Sequence, residues 1–440
     1  MTTRTAGALC ALLLCAPMGA AGLTLETALA RTVEKNPAIR QAKARLEEAA
    51  GRRIVLRAPS LPNAGIGIFG GLQGGKRAGE DQTQPFAFGQ GLLTQPLFYA
   101  GIPAMYRRGN IEVLLAQQRL NMALTEQLHT ARVAFYTAAY NDSLQALAET
   151  QRQRLATNAA TQSDRYQAGT ADRAAVTVAR LLEYDVKPRV EQSRRLGSGA
   201  LLKLAETMGE DLGPGGQLPR VDGGLQFAPV HVNADTETSR AVAERPDLQI
   251  ARLLVRAAEE DQRIIEAAYY PAINATISGT YIPVSEIRRG SEGSARRSDD
   301  IISSEARAGA AYTWRVVDNG RVRGAATRQR AVREINELVL ARLEANVPRE
   351  LTRIQNSLRA LQARHDALTK ASSVAQLAVT DVQNSLAEGL SSQLEYRTAE
   401  SSFLESTAGV LTVAFEQQIA LAEWDRATGR YLQFFNEPSG

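Results

Sequence analysis

Few side chains in this sequence have the type and spacing to do chemistry. The three histidines, His129, His231 and His365, are far apart, and none sits at metal-ligand spacing from Asp, Glu or Cys. The run GIGIFGGLQGG (65–75) has the composition of a phosphate loop. It lacks the closing Lys-Ser/Thr pair, however, and does not open a helix. No nucleophile elbow and no paired general acid and base stand out, and carboxylate clusters such as RAAEED (256–261) suit exposed helix faces. The expectation is therefore no catalytic residue, no cofactor and no bound metal. An enzyme carried on a helical stalk is the alternative this leaves.

Composition points the same way. The chain has 440 residues and a net charge of +4, with 22% charged and 5% aromatic residues. Its pI of about 9.1 comes mainly from arginines interleaved with Glu and Asp, as in RQAKARLEEAAGRR. That pattern makes solvated helix faces rather than a nucleic-acid patch. Arg4, the apolar run Ala6–Met18 and the small residues Gly19, Ala20 and Ala21 predict a secretory signal peptide over 1–21, cleaved after Ala20 or Ala21. Both cysteines, Cys10 and Cys15, fall inside it, so the mature chain would carry no disulfide. Leu14 argues against a lipid-anchored Cys15. With no later run of 18 apolar residues, the mature protein is periplasmic, secreted or an outer-membrane β protein.

The chain is written twice. EKNPAIRQAKA resembles AERPDLQIARL, which sets Pro37 over Pro246, 209 residues apart, and Pro62 over Pro271 at the same separation. Gly101 then falls over Gly320 at 219, and Gly169 over Gly389 at 220, so the second copy has one longer loop, around SEIRRGSEGSARRSDD. The expected layout is a signal peptide at 1–21, a first repeat at 22–208, a linker at 209–235, a second repeat at 236–432 and a tail at 433–440. Each repeat should hold a helix opened by proline, two strands (near 60–98 and 271–317) and a long helical hairpin turning at Gly169 or Gly389.

From Ala272 to Ile282, Ile273, Ala275, Ile277, Gly279 and Tyr281 alternate with polar residues; Ala306, Ala308, Ala310, Tyr312, Trp314 and Val316 do so in the partner segment. About eleven residues of period two suit a tilted outer-membrane strand. An ordinary antiparallel sheet with one wet face has the same pattern. The first copy is less regular, with Ile66 and Ile68 among glycines, and Phe86 and Phe88 beside Ala87 and Gly89. Four strands cannot close a barrel, and an open edge is not tolerated in lipid, so spanning strands would have to be pooled by several chains. From Ile102 to Ala168 the chain predicts a helix of roughly 100 Å. The seams Leu124, Leu128, Ala131, Phe135, Ala138 and Val347, Leu351, Ile354, Leu358, Leu361 specify supercoiled helix packing. Pro348 should kink the second rod or mark a change of packing.

In LTLETALARTVEKNPAIRQAKA, QPLFYAGI, RYQAGTA, SLAEGLSSQLEY and RPDLQIA, taken in order, the chain resembles the TolC family of outer-membrane channels. The resemblance implies a homotrimer: a mainly α protein with membrane β, joining a coiled-coil helical barrel to a twelve-stranded outer-membrane β-barrel made of four strands per protomer. It implies an exit duct reaching through the periplasm, in a tripartite efflux pump or a type I secretion system. The partners would be a periplasmic adaptor (membrane fusion) protein, an inner-membrane ABC or proton-driven transporter and outer-membrane lipid. It places a periplasmic aperture at Glu395 and Thr398, where known members carry an acidic pair, so only half of that pair is matched. Gly169, Asp172 and Gly389 fall at the hairpin turns where a partner would dock, and Tyr281, Tyr312 and Trp314 suit the aromatic girdles. A soluble periplasmic coiled-coil adaptor or scaffold is the alternative. The cargo, small molecule or polypeptide, is left open.

Overall fold

The computed structural model describes residues 22–77, 80–211, 218–281 and 304–429. The expected signal peptide with both cysteines, Ile282, the loop SEIRRGSEGSARRSDD and the expected tail lie outside them. The elements run α1 (Leu25–Lys35), α2 (Pro37–Arg57), β1 (Asn63–Arg77), β2 (Glu80–Phe98), α3 (Ile102–Gln167) and α4 (Arg173–Met208). The same order follows again: α5 (Ala234–Glu244), α6 (Pro246–Glu266), β3 (Ala272–Tyr281), β4 (Ser304–Thr313), α7 (Arg321–Ala387) and α8 (Gln393–Thr428). The fold is mainly helical, with one four-stranded sheet and an internal two-fold repeat.

Two compact units form, one within 1–40, 123–241 and 348–440, the other within 41–122 and 242–347. In the first, α1, α3 and α4 enclose Leu23, Ala28, Phe135, Leu204 and Met208. Both predicted seams are buried, from Leu128 at 2% exposure and Ala131 at 0% to Val347 at 1% and Leu351 at 0%. A stripe repeating at four and three residues stays on one side of a helix only if neighbours cover it along its length. α7 continues through Pro348 as one helix, and the division between the units falls at that residue.

The join between α1 and α2 shows how a short motif fixes a corner. Asn36 is buried, and its Oδ1 accepts from the N–H groups of Ala38 and Ile39 at 2.8 and 3.2 Å. Those donors are left free by the start of a helix, and Pro37 at the first helical position has no N–H to satisfy. The Asn36 Nδ2 donates to Gln127 Oε1 and to the Thr207 carbonyl at 2.9 and 2.7 Å, tying the corner to α3 and α4. In the second repeat the matching residue is Arg245, whose guanidinium pairs with Asp247 at 2.9 Å.

In the second unit Ile111 and Leu115 pack on Leu253 and Ala257, and Arg108 bridges Glu112 at 2.7 Å and Asp261 at 2.9 Å. This unit also holds the sheet, antiparallel throughout in the order β1-β2-β3-β4. Its register fixes two faces. Ile66 pairs with Gly91, Gly91 with Gly279 and Gly279 with Ala306; Ala64, Leu93, Ile277 and Ala308 make the next row. Residues directly opposite in a pleated sheet share a face. Ile66, Ile68, Leu72, Leu93, Ile273, Ile277, Tyr281 and Tyr312 therefore all lie on one side. The opposite side carries Gln90, Thr94, Asn274, Thr276, Thr280, Glu305 and Arg307, together with Phe69, Phe86, Phe88 and Leu92. The irregular first strand pair thus has the same apolar face as the second.

One expectation needs correction. The alternation was expected to carry a strand through Val316, but β4 ends at Thr313. Thr313 pairs with Ala272, the first residue of β3, so nothing remains beyond it to continue the ladder. Trp314 follows the strand, and its indole Nε1 donates to the Tyr269 carbonyl at 3.2 Å.

Candidate functional site

Two regions have a geometry suited to work: the sheet and the tips of the two helical hairpins. The apolar face of the sheet is bare, with Ile66 88% and Ile68 85% exposed, and Leu72, Ile277, Tyr281 and Tyr312 also exposed. Water does not tolerate such a face on a lone protein, whereas acyl chains do. Tyr312 pairs with Ile273, and Tyr281 lies eight residues further along β3 on the same face. At about 3.3 Å per residue the two rings stand roughly 26 Å apart along the strand. That is close to the height of the apolar band between the aromatic girdles of outer-membrane barrels, about 25 Å. Among the described residues, the outer edges of β1 and β4 have no strand partner.

Both hairpin turns are built alike. Gly169 and Gly389 lie at φ +75° and +77°. The N–H groups of Thr170 and Gly169 reach back to the Arg165 and Tyr166 carbonyls at 2.8 and 3.0 Å. Leu390 and Gly389 donate likewise to Ser385 and Leu386 at 2.8 and 3.3 Å. These are helix ends closed by a left-handed glycine. The returning helices are capped by side chains. Asp172 accepts from the Ala175 N–H at 2.7 Å. Ser392 accepts from the Glu395 N–H at 3.2 Å, and the Glu395 carboxylate accepts from the Ser392 N–H at 2.9 Å. Glu395 and Asp172, singled out as functional acids, thus both serve helix starts, where carboxylates also favour the dipole. Glu395 and Thr398 are exposed on α8, and the Thr398 hydroxyl donates to the Leu394 carbonyl at 3.0 Å.

Polar links that sequence reasoning did not reach tie one hairpin to the other. The Arg165 guanidinium donates to the Leu386 carbonyl at 3.0 Å and to that of Ala387, both in the last turn of α7. Asn158 donates to Gln393 Oε1 at 3.0 Å, and Arg397 lies 3.6 Å from Asp185. Above them a core of Leu155, Leu182, Val186, Val379, Leu386 and Tyr396 closes over the carboxyl of Glu400, which is 2% exposed. Tyr396 donates its hydroxyl to Glu400 Oε1 at 3.2 Å, and Arg154, stacked on the Phe403 ring, stands 3.6 Å away. Burial pushes the Glu400 carboxyl above its ordinary value, and Arg154 and the Tyr396 hydroxyl offset this only in part.

A raised acid favours the folded state while protonated. Stability is therefore full below the ordinary carboxyl value of 4.5 and declines as pH rises from there to the raised value. Glu400→Gln is expected to flatten that decline. Hydrogen exchange of the first turns of α8, corrected for intrinsic rates, should show protection falling as pH rises above 4.5 in the parent and staying level in the variant. A decline equally steep in both would remove Glu400 from the account.

Two of the three histidines take structural places, and His231 is exposed. His365 stacks on Phe227 with centroids 3.8 Å apart, and partial burial together with Arg426 lowers the half-buried imidazole of His129.

A sheet with one lipid-compatible face, joined to helices far longer than a globular domain needs, defines a protomer of an outer-membrane channel. The chain belongs to the outer membrane efflux protein family, whose model matches residues 28–210 and 238–430, one stretch in each repeat. Solved structures share the fold. The outer membrane protein VceC of Vibrio cholerae is 17% identical with a TM-score of 0.77, covering 92% of this chain and 96% of that one. The CmeC outer membrane channel of Campylobacter jejuni is 11% identical with a TM-score of 0.79, covering 92% and 85%. The MtrE outer membrane channel of Neisseria gonorrhoeae, solved in its open state, is 16% identical with a TM-score of 0.73, covering 92% and 88%. Comparison with curated proteins gives no match.

The chain is thus a TolC-like outer-membrane efflux channel, seated in the outer membrane and extending into the periplasm. Its family is one of transport proteins, not an enzyme class. The soluble adaptor alternative falls with that membership.

Proposed function

We propose that three copies of this chain pool their sheets into a twelve-stranded barrel and their hairpins into a duct through which a partner drives cargo outward. The observation that carries this is the sheet with one bare apolar face and, among the described residues, two unpaired edges, which only neighbouring copies can close in lipid. Residues 1–21 are removed on export. The repeats 22–208 and 236–432 form the body, joined by the linker 209–235, with 433–440 as a tail. Tyr281, Tyr312 and Trp314 anchor the interfaces. The turns at Gly169 and Gly389, with Asp172, offer the rim on which a periplasmic adaptor seats, and an ABC or proton-driven transporter of the inner membrane supplies the energy.

Glu395 and Thr398 line the periplasmic aperture, where three copies of one carboxylate concentrate negative potential. Glu395→Gln tests this cleanly, because glutamine serves the capping box as well as glutamate does. In planar bilayers, single channels of the variant should lose cation preference and resist block by multivalent cations. Unchanged selectivity would leave Glu395 as a helix cap alone. Protein that stays monomeric in buffer without detergent would overturn the channel assembly itself.

A further inference from the structure

The wet face of the sheet carries, besides Leu92, a cluster of rings that a simple duct does not need. Phe69, Phe86 and Phe88 lie on the face of Gln90, Thr94, Thr276 and Thr280, opposite the lipid-compatible Ile66 and Ile68. Lipid contact therefore does not account for them. Phe69 pairs directly with Phe88, their centroids 5.0 Å apart and planes 23° from parallel. Phe86 continues the run at 6.1 Å and 25° from Phe88. Offset, near-parallel rings are a favourable aromatic arrangement.

The rings also lie down on the strands. A methyl placed on Gly67 would meet the Phe69 ring at 2.9 Å, and one on Gly71 would meet Phe86 at 3.2 Å. Glycines beneath the rings let them cover backbone instead of projecting from it. Phe69 nonetheless stays 49% exposed and Phe86 38%. Gly89 pairs with Tyr281, so Phe88 stands one residue beyond that tyrosine, at the end of the sheet away from the helices.

We infer that Phe69, Phe86 and Phe88 form a stacking subsite for planar aromatic cargo inside the outer mouth of the channel. The inference rests on the barrel reading, which makes this face the lumen. A flat π surface accepts any planar aromatic solute without hydrogen-bond matching, and aromatic cations gain further from the negative ring faces. Such a subsite holds cargo at the exit without selecting one compound.

The test uses the trimer reconstituted in planar bilayers, with ethidium as the planar aromatic cation and tetrabutylammonium as the non-aromatic control. Stacking on one aromatic side chain is strong enough that ethidium dwell times should shorten about tenfold in Phe86→Leu/Phe88→Leu, with tetrabutylammonium unaffected. Phe88→Tyr, which keeps a ring, should retain the parent dwell time. Phe69→Leu, the mildest exchange, gives the same readout if the double variant inserts poorly. Equal dwell times for ethidium in parent and leucine variants, or equal shortening for both probes, would overturn the subsite while leaving the conducting barrel intact. A parent protein that conducts nothing would remove the barrel and the subsite together.

Discussion

Ile277→Arg is expected to keep the protein out of the outer membrane, whereas Thr276→Arg, one residue earlier, leaves it there. Ile277 pairs with Leu93 on one side and Ala308 on the other, at the middle of the apolar face and midway between Ile273 and Tyr281. An arginine facing lipid at that depth costs about 2–4 kcal/mol, and a trimer pays it three times. In the proposed trimer a loss of this size in every copy is expected to remove the inserted species altogether. Thr276 points the other way, between Thr94 and Gly309, where a Cβ on Gly309 would meet nothing within 4 Å. A long cation there can extend into water. Outer-membrane fractionation and trimer migration in mild detergent read both variants. An inserted Ile277→Arg trimer, or equal losses at the two positions, would mean that the faces have been assigned the wrong way round.

The faces were open to sequence reasoning because their signal is local. Period two over ten residues survives in β3 and β4, and the 3–4 spacing survives along the buried seams of α3 and α7, since each depends only on neighbours in the chain. The first strand pair was harder to read. Its glycines leave six of the fifteen positions of β1 without a side chain, so only the pairing of β1 with β2 shows that Ile66 and Phe86 look in opposite directions. The end of β4 likewise depends on where β3 begins, which no pattern within 304–316 encodes.

At the hairpin tips the balance differs. Ser392-Gln-Leu-Glu395 is a capping-box signature legible in the sequence, yet the resemblance drew Glu395 toward the aperture and passed over its role at the helix start. Arg165 and the buried Glu400 had no local sign. An arginine near a helix end and a glutamate in a long helix become distinctive only when Leu386 is brought against Arg165 and Arg154 against Glu400, each pair more than two hundred residues apart.

Of Gly209 and the turn glycines at the hairpin tips, Gly209 is expected to tolerate substitution least. All three have positive φ: +68° at Gly209, +75° at Gly169 and +77° at Gly389. An L-residue there costs about 1–2 kcal/mol. At Gly169 and Gly389 that is the whole penalty, because an added methyl would meet nothing within 4 Å. Gly209 closes α4 against the end of α1, and a methyl there would stand 2.5 Å from the Lys35 carbonyl oxygen and 2.8 Å from its carbon. Both are backbone atoms, and neither can swing aside. Relief would have to move Lys35 and Asn36, whose amide holds the Thr207 carbonyl at 2.7 Å, so the α1–α4 junction would shift as a block. Overpacking of that kind adds about 1–3 kcal/mol, for a total near 4 kcal/mol. For a body of this size each kcal/mol moves the melting temperature by about 2–4 °C. Gly209→Ala should therefore melt about 10 °C below the parent in detergent, and Gly389→Ala only about 3–4 °C below. Equal shifts would show that backbone handedness alone sets the cost and that the close approach of α1 to α4 carries none of it.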